Sequence, residues 1–362
     1  MLNRTTGNKT LRVIALGAVV ATAALGLAGC SGNADAGKND DSVGVALIVK
    51  TNSNPFFVAM QDGAESAADE AGVKLTLAAG KEDGDEDTQI KAIEDAIARG
   101  DQGILITPNG PGVLDAIDKA RQAGLYVIAL DTPPDPADAV DITFATDNRL
   151  AGQLIGEWTA AQLDGEKATI ALLDLFDDKI VSVDYNRDQG FLEGMGIDVA
   201  DKNANGDEDA TGTYSGGDYE IVGNEATNGA EDGGLAAMET LLSKNPDINV
   251  VYTINEPAAY GAYQALQAAG KEKDVLIVSI DGGCAGVKNV KDGIIGATSQ
   301  QYPVNMAELG VKAIVDLAKN GTKPSVTDGL DFFNTGVALV TDKPVDGVES
   351  IDTTAASDIC WG

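Results

Sequence analysis

The chain has 362 residues, 44% apolar and 23% charged, a composition typical of a globular protein with one large or two ordinary domains. It carries 25 Lys and Arg against 57 Asp and Glu, and the resulting formal charge of −32 repels phosphate backbones and anionic lipid. Nucleic-acid binding is therefore not expected. The chain has no His, so Ser-His-Asp and Cys-His catalysis and zinc sites with His ligands are not expected either.

Residues 1–29 have the pattern of an export signal. A basic start precedes an apolar stretch, 13–27, which is shorter than a membrane span and suits the h-region of a signal peptide. Small residues then lead into Cys30, which resembles the lipobox of bacterial lipoproteins and makes Cys30 the expected site of lipid attachment. A plain signal peptide with a coincidental Cys is the alternative. Residues 30–41 are expected to form a flexible tether, so the mature protein is predicted to be exported and held at the extracytoplasmic face of the cell membrane.

Apolar runs alternate with helical patterns from residue 42 onwards. Strands are predicted at 42–49, 73–78, 103–107 and 126–130, and helices at 59–71, 88–99 and 113–123. After 142–148 the alternation begins again, with helices near 150–163, 185–195, 234–243 and 258–269, and strands at 249–254 and 275–280. Continuous apolar runs indicate strands that are covered on both faces. The sequence therefore predicts two doubly wound α/β units in tandem, followed by a long helix, 306–319, and a tail.

Two cysteines lie in this mature part of the chain. Cys284 belongs to an IDGGCAG segment and Cys360 to the terminal DICWG. Outside the cytoplasm two such cysteines often pair. We predict a Cys284–Cys360 disulfide, with two buried free thiols as the alternative.

Polar side chains follow the carboxyl ends of the predicted strands, where open parallel sheets bind their ligands. In chain order they are Lys50, Asn54, Asp131, Asp147, Asn255, Asp281, Gln300 and Gln301. A single residue of this kind is usually a helix cap, but a whole set at one edge of two facing sheets favours a ligand site. Carboxylates and amides offer the donors and acceptors that a polyhydroxylated ligand needs. Phe56 and Phe57 either cover the apolar face of a sugar ring or belong to the core of the first helix.

A series of motifs occurs in a distinctive order along the chain: NPFF, LDT, ATDN, INEPAA, DGG and ATSQQYP. Together they resemble the periplasmic sugar-binding proteins of the ribose/galactose class, the substrate-binding components of ABC importers. The resemblance covers residues 43–339 and is greatest to the fructose-binding branch, through KTNSNPFF, LDTPPDPADA, TINEPAAYGA, VSIDGGCAGVKNV and the final CWG.

The resemblance implies a type I periplasmic binding protein fold, in which two doubly wound parallel-sheet lobes are linked by a three-crossover hinge. The crossovers are expected near Asp147, Gln301 and Gly329. Residues 42–147 and 302–328 would form the N-terminal lobe, and 148–301 with 329–362 the C-terminal lobe.

The family's ligand residues carry over to positions in both lobes. They fall on Lys50, Asn54, Phe56, Phe57, Asp131, Asp147, Arg187, Asn255, Asp281 and Gln301. The chain departs from the ribose branch in having Lys50 in place of Ser, Thr132 in place of Arg, and no aromatic residue near Asn228. A roomier, more polar pocket is therefore expected, which favours a larger ketose or hexose, with fructose first.

The function implied is extracytoplasmic binding of a monosaccharide by a monomer that delivers it to an ABC permease, with no enzyme activity and no nucleic-acid partner. A sugar sensor or chemoreceptor that reads the closed lobes is an alternative partner. A glycosidase that uses Asp131 and Asp281 as its paired carboxylates is a second alternative. A transcription regulator on the same fold is a third, against which the export signal and the missing DNA-binding head both argue.

One motif points to a metal, whereas no cofactor is expected. Asp201, Asn203 and Asn205 match the opening half of a calcium loop, D-x-N-x-N-G. The twelfth position is Gly212 rather than Glu, so a solvated Asx-rich turn is the alternative.

Overall fold

The computed structural model describes residues 43–362, which form two α/β lobes, each built on one sheet. The strands are β1 (Gly44–Val49), β2 (Lys74–Ala79), β3 (Gly103–Ile106), β4 (Tyr126–Leu130), β5 (Ile142–Ala145), β6 (Ala168–Asp174), β7 (Thr211–Thr213), β8 (Asp218–Ala226), β9 (Val250–Thr253), β10 (Leu276–Asp281), β11 (Ala297–Gln300), β12 (Phe333–Asn334), β13 (Ala338–Val340) and β14 (Ser350–Ile351). The helices are α1 (Pro55–Ala71), α2 (Glu86–Arg99), α3 (Leu114–Gln122), α4 (Asn148–Leu163), α5 (Ser182–Met195), α6 (Glu231–Lys244), α7 (Glu256–Ala269), α8 (Cys284–Lys291), α9 (Pro303–Asn320) and α10 (Thr353–Ser357).

The first lobe has a parallel sheet in the order β2-β1-β3-β4-β5-β12. Its strand β1 is buried along its whole length. Alternate residues point to opposite faces, so Leu47 packs with α1 and α9 while Ile48 packs with α2 and α3. Because helices cover both faces, every position of such a strand has to be apolar, which is the reason for the unbroken run GVALIV.

The second lobe has a sheet in the order β7-β8-β6-β9-β10-β11-β13-β14. The strands from β8 to β11 are parallel, and β7 and β13 run antiparallel to their inner neighbours. Helices α4 and α5 cover one face, and α6, α7 and α8 cover the other. The predicted fold class, two doubly wound α/β lobes, is confirmed.

Strand β8 was not predicted from the sequence. Its residues, DYEIVGNEA, interleave charged and amide side chains with apolar ones, and most of them are half-buried. It lies next to the short β7 at one end of the sheet, and its register with β6 shifts between Ile170 and Ala171. A strand near a sheet edge faces solvent on part of its surface, so it lacks the apolar run that marks the inner strands.

The chain passes between the lobes three times. The first crossing, 146–147, follows β5, and the second, 301–302, follows β11. The third lies at 335–337, later than the predicted position near Gly329, because β12 still pairs with β5 in the first lobe. The hydroxyl of Thr146 donates to the carbonyl of Gly336 at 3.3 Å, so the first and third crossings run side by side.

The C-terminal segment fastens the second lobe to the first. Cys284 at the start of α8 is joined to Cys360 by a disulfide. The next residue, Trp361, accepts the Cys284 N–H at 2.9 Å through its carbonyl and donates its indole N–H to the carbonyl of Gln301 at 2.9 Å. Its ring packs edge-on against Phe56 of the first lobe, with centroids 5.3 Å apart.

The predicted signal peptide, the lipid-bearing Cys30 and the tether lie outside the described residues. Within 43–362, no helix combines the length and the apolar character that a bilayer crossing requires.

Candidate binding site

A cavity lies between the lobes, at the carboxyl ends of both sheets. Its walls are formed by Lys50, Asn54, Phe56, Phe57, Asp83, Asp131, Leu175, Val183, Arg187, Ile254, Asn255, Asp281 and Gln301. All of the predicted ligand residues except Asp147 are in this set. The cavity volume is about 30 Å³, which is room for a few water molecules at most. A groove of about 1340 Å³ adjoins it and shares Asn54, Asp83 and Asp281 with it, so a larger ligand enters only if the lobes move apart.

The first turn of α1 places two aromatic rings in the cavity wall. The Asn54 side chain caps the helix by accepting the Phe56 N–H at 2.9 Å, and Pro55 occupies the first helical position. Phe56 and Phe57 then follow on the first turn, with their rings edge-to-face at 5.3 Å. Both are buried, and both also pack into the core of the first lobe. Both rings therefore belong to the core of the first lobe, and both also line the cavity.

Asp131 follows β4 and has a left-handed conformation, with φ of 64°. A non-glycine residue pays of order 1 kcal/mol or more for this geometry, and such residues cluster at functional sites. Its carboxylate accepts a hydrogen bond from the Thr132 hydroxyl at 2.7 Å, and its N–H donates to Phe144. The strained turn aims a buried carboxylate at the second lobe.

Arg187 on α5 faces Asp131 from the second lobe. Its Nε donates to the amide oxygen of Asn148 at 2.7 Å and its Nη1 to the carbonyl of Ile254 at 2.9 Å. These bonds fix the plane of the guanidinium. The remaining nitrogen, Nη2, lies 3.7 Å from Oδ1 of Asp131, an ion pair that crosses from one lobe to the other.

Asp281 is the second carboxylate with an unusual backbone. Its φ is 153°, and Gly282 follows at 73°. One carboxylate oxygen accepts the Gln301 side-chain N–H at 3.1 Å, and the other accepts the Glu256 backbone N–H at 3.3 Å. Burial raises the pKa of Asp281 well above its ordinary value, and the neighbouring charge of Glu256 raises it further.

Glu256 supports the Asp281 turn from below, a role that the sequence analysis missed. Its carboxylate accepts the N–H of Gly282 at 2.9 Å, the N–H of Gly283 at 3.1 Å and the Thr298 hydroxyl at 2.9 Å. Burial raises its pKa to about 7. In the sequence Glu256 has the appearance of an ordinary acidic residue in a first helical turn. No pattern along the chain marks its contact with a turn 26 residues later.

Asp83 is the other cavity residue that the sequence analysis missed. It lies in the loop between β2 and α2 rather than at a strand end. Burial raises its pKa to about 6, although the charge of Lys50 acts in the opposite direction. The segment KEDGDED resembles a solvated acidic loop, so nothing in the sequence distinguishes Asp83, which lines the cavity, from the other acidic residues of the loop.

Two more predicted ligand residues serve as helix caps, as Asn54 does. Asp147 accepts the Leu150 N–H at 3.0 Å at the start of α4 and does not line the cavity. It is therefore a helix cap, the alternative to a ligand residue for any single strand-end position. Asn255 caps α7 by accepting the Ala258 N–H at 3.1 Å, and it also lines the cavity. Its amide N–H₂ donates to the carbonyl of Gly229 at 3.0 Å.

The predicted calcium loop folds as a turn. Asp201 accepts the Asn203 N–H at 3.0 Å, and Asp207 accepts the Asp201 N–H at 2.8 Å. Both Asp201 and Asn203 are exposed, whereas Asn205 turns inward. Among residues 43–362, no three Asp, Glu or Cys side chains stand together as a ready-made set of metal ligands. The Asx-rich turn is therefore the description that fits Asp201 and Asn203.

These features define a class of protein: two α/β lobes joined by three crossings, with a buried polar cavity between the strand ends of both. The family described as periplasmic binding protein domain matches residues 45–323, and this chain belongs to it. The ribose import binding protein RbsB of Salmonella typhimurium is 31% identical over 280 residues, which cover 77% of this chain and 86% of that protein. The D-ribose/D-allose-binding protein of Pseudomonas aeruginosa is 28% identical over 309 residues, which cover 82% and 88%.

Solved structures share the fold over nearly the whole described chain. An ABC transporter solute-binding protein from Agrobacterium vitis, solved with bound D-fucose, superposes with a TM-score of 0.71 at 25% identity. The match covers 88% of this chain and 100% of that one. These relatives are binding proteins rather than enzymes, which confirms the prediction that the chain is not an enzyme.

Proposed function

We propose that this protein binds a monosaccharide, D-fructose first among the candidates, in the cavity between its lobes and delivers it to an ABC permease. Family membership supports the coarser statement, a sugar-binding component of an ABC importer. The observation that carries the proposal is the cross-lobe group of Asp131, Arg187 and Asp281. Each is buried, each is held by a neighbouring residue, and together they offer carboxyl acceptors and guanidinium donors to the hydroxyl groups of one ligand.

The preference for a ketose or hexose over ribose is supported by Gly229, which lines the groove beside the cavity. Gly229 has φ of 64°, and a Cβ there would lie 3.0 Å from the Asn255 amide nitrogen. The chain therefore has no side chain at the position where the ribose branch carries an aromatic ring. Lys50 and Asp83 add a charged donor and acceptor to the first-lobe wall. A ligand with more hydroxyl groups than ribose makes use of them.

We further propose that the protein acts outside the cytoplasm while anchored through lipid on Cys30. The proposal is supported by the small residues before Cys30 and the polar segment after it. Cys30→Ala is expected to abolish labelling by a lipid precursor and to release the protein from the membrane fraction. Retention of the unlabelled variant on the membrane would contradict this anchor.

The test of sugar binding is a thermal-shift panel of fructose, ribose, allose, glucose, galactose and xylose on the mature protein. A ligand at a hundred times its Kd stabilises the folded state by about 2.7 kcal/mol, which raises the Tm measurably. No shift with any sugar would refute sugar binding, and a shift with ribose alone would refute the fructose preference.

Two matched variants test the placement of the site. Asp131→Asn removes a charge from the cavity and is expected to weaken binding at least tenfold. Asp147→Asn makes the same change in a carboxylate outside the cavity, and Asn caps a helix about as well as Asp, so both the Kd and the Tm of the apo protein are expected to stay nearly unchanged. Equal affinities in the two variants would contradict the site.

A further inference from the structure

Trp361 lies behind the wall of the inter-lobe cavity rather than in it. It follows α10, which packs against α8 of the second lobe through Ala356 and Val287. Its own side chain is nevertheless buried among the core residues of the first lobe. One side chain therefore joins the two lobes directly behind the proposed sugar site.

Trp361 supports three parts of the cavity wall. Its ring packs edge-on against the ring of Phe56, with the centroids 5.3 Å apart, and its indole N–H donates to the carbonyl of Gln301 at 2.9 Å. A Cβ on Gly283 would lie 3.2 Å from Cζ3 of the same ring, so the indole also packs closely against the turn that follows Asp281. Phe56, Gln301 and Asp281 all line the cavity. A single ring thus lies behind wall residues of the first lobe, the second lobe and the second crossing.

These contacts determine where the wall residues point. Edge-to-face packing is a favoured geometry of aromatic pairs, so Trp361 and Phe57 together fix the tilt of the Phe56 ring. The indole also holds the backbone of Gln301. The N–H of Gln301 donates to the carbonyl of Asp281 at 2.8 Å, and its side-chain N–H₂ donates to the carboxyl group of Asp281 at 3.1 Å. Loss of the indole would therefore loosen Phe56 and the Gln301–Asp281 pair together.

A covalent bond keeps Trp361 in this position. Residues 360–362 belong to no helix or strand, but the disulfide fixes Cys360 to Cys284 on α8, and the carbonyl of Trp361 accepts the Cys284 N–H at 2.9 Å. A binding site that is ordered before its ligand arrives costs the ligand less free energy of ordering. The disulfide thus preorganises the indole behind the site.

We infer that Trp361 is a positioning residue for sugar binding, which holds the Phe56 ring and the Gln301–Asp281 pair in the geometry that the ligand needs. The inference rests on the proposed function, because these residues contact a sugar only if the cavity binds one. A purely structural support would behave differently. Its loss would lower the Tm and leave the affinity for the sugar unchanged.

The experiment is calorimetry with D-fructose, or with whichever sugar of the thermal-shift panel gives the largest shift. Trp361→Ala should weaken binding about three- to tenfold, because the edge-on partner of the Phe56 ring is removed. Trp361→Phe keeps a ring against Phe56 and should recover most of the affinity. Trp158 is the matched control, since it is buried in the core of the second lobe and donates its indole N–H to the carbonyl of Lys343 at 2.8 Å. Trp158→Phe should leave the Kd unchanged even where it lowers the Tm.

A double-mutant cycle shows whether Trp361 acts through Phe56. Residues that act together have non-additive effects, so Phe56→Ala combined with Trp361→Ala should lose less affinity than the product of the two single losses. Trp361→Leu keeps apolar bulk without the ring or the N–H, and it replaces the alanine variant in the cycle if that variant does not fold.

The outcomes separate this inference from the function on which it rests. If the parent protein binds none of the panel sugars, the proposed function fails and the role of Trp361 fails with it. If the parent binds a sugar and the Trp361 variants bind it equally well with a lowered Tm, the residue is only structural and the inference alone is overturned. Fully additive losses in the cycle would also overturn it.

Discussion

Replacing Asp83 by Asn measures the cost of a buried carboxylate in the cavity. Burial raises the pKa of Asp83 from 3.8 to about 6, so the native protein holds this proton more tightly than the unfolded chain does. The stability that results is fully present below pH 4 and is lost as the pH rises through 6. One pKa unit corresponds to about 1.4 kcal/mol, so the complete loss is about 3 kcal/mol. Asp83→Asn cannot ionise and does not suffer this loss.

Urea unfolding of the apo protein at several pH values between 4.5 and 7.5 tests this expectation. The free energy of unfolding of Asp83→Asn, measured relative to the parent, should rise by about 2 kcal/mol across that range. Comparing the two proteins cancels the titration of the other buried acids. Asp95→Asn changes an exposed carboxylate and should show no such trend. If this difference in the free energy of unfolding stays constant or falls as the pH rises, ionised Asp83 does not destabilise the folded protein and the reasoning is refuted.

Three further predictions concern the second lobe. Asp281→Asn should weaken sugar binding about three- to tenfold, because Asn replaces one acceptor oxygen by an N–H₂ donor and one hydrogen bond contributes about 0.5–1.5 kcal/mol; calorimetry with an unchanged affinity would contradict this. Gly286→Ala should destabilise the protein by about 1–3 kcal/mol, since a Cβ there would lie 1.9 Å from the Glu256 carboxyl carbon; an unchanged Tm would show that Glu256 can move. Cys284→Ser with Cys360→Ser should cost about 4–5 kcal/mol, because the disulfide closes a loop of 76 residues; thiol titration of the unfolded, unreduced parent checks that the bond forms.

The parts of the molecule that could be predicted from the sequence are those that one local pattern specifies. The buried strands β1 and β4 are continuous apolar runs, and β10 is apolar except for Ser279 and its last residue, Asp281, because helices cover both faces of each sheet. The polar residues at these strand ends, Lys50, Asp131 and Asp281, therefore lie in the cavity wall. Strand β8 has no such run, and it was missed for that reason. Asp147 is an exception among the polar residues at strand ends. It immediately precedes α4, so its side chain caps that helix and does not line the cavity.

The residues that could not be predicted depend on contacts between distant segments. Asp83 becomes a cavity residue only because its loop folds over Lys50 and faces the second lobe. Glu256 supports Asp281 by accepting N–H groups of the turn 282–283, which the chain reaches only after α7 and β10. The third crossing shifted because two residues of β12 pair with β5, and two residues are too few to leave a pattern in the sequence.

Few polar contacts hold the lobes together around the cavity. Arg187 lies 3.7 Å from Asp131, Lys179 donates to the carbonyl of Gly84 at 3.2 Å, and Ser182 donates to the carbonyl of Pro133. Each is a contact of the kind that contributes about 1 kcal/mol, and the ion pair is longer than a hydrogen bond. A ligand shifts such an equilibrium only as far as it binds the closed arrangement better than the open one. A sugar placed between Asp131, Arg187 and Asp281 would replace the long ion pair by several short bonds to both lobes, and this difference is what would drive closure.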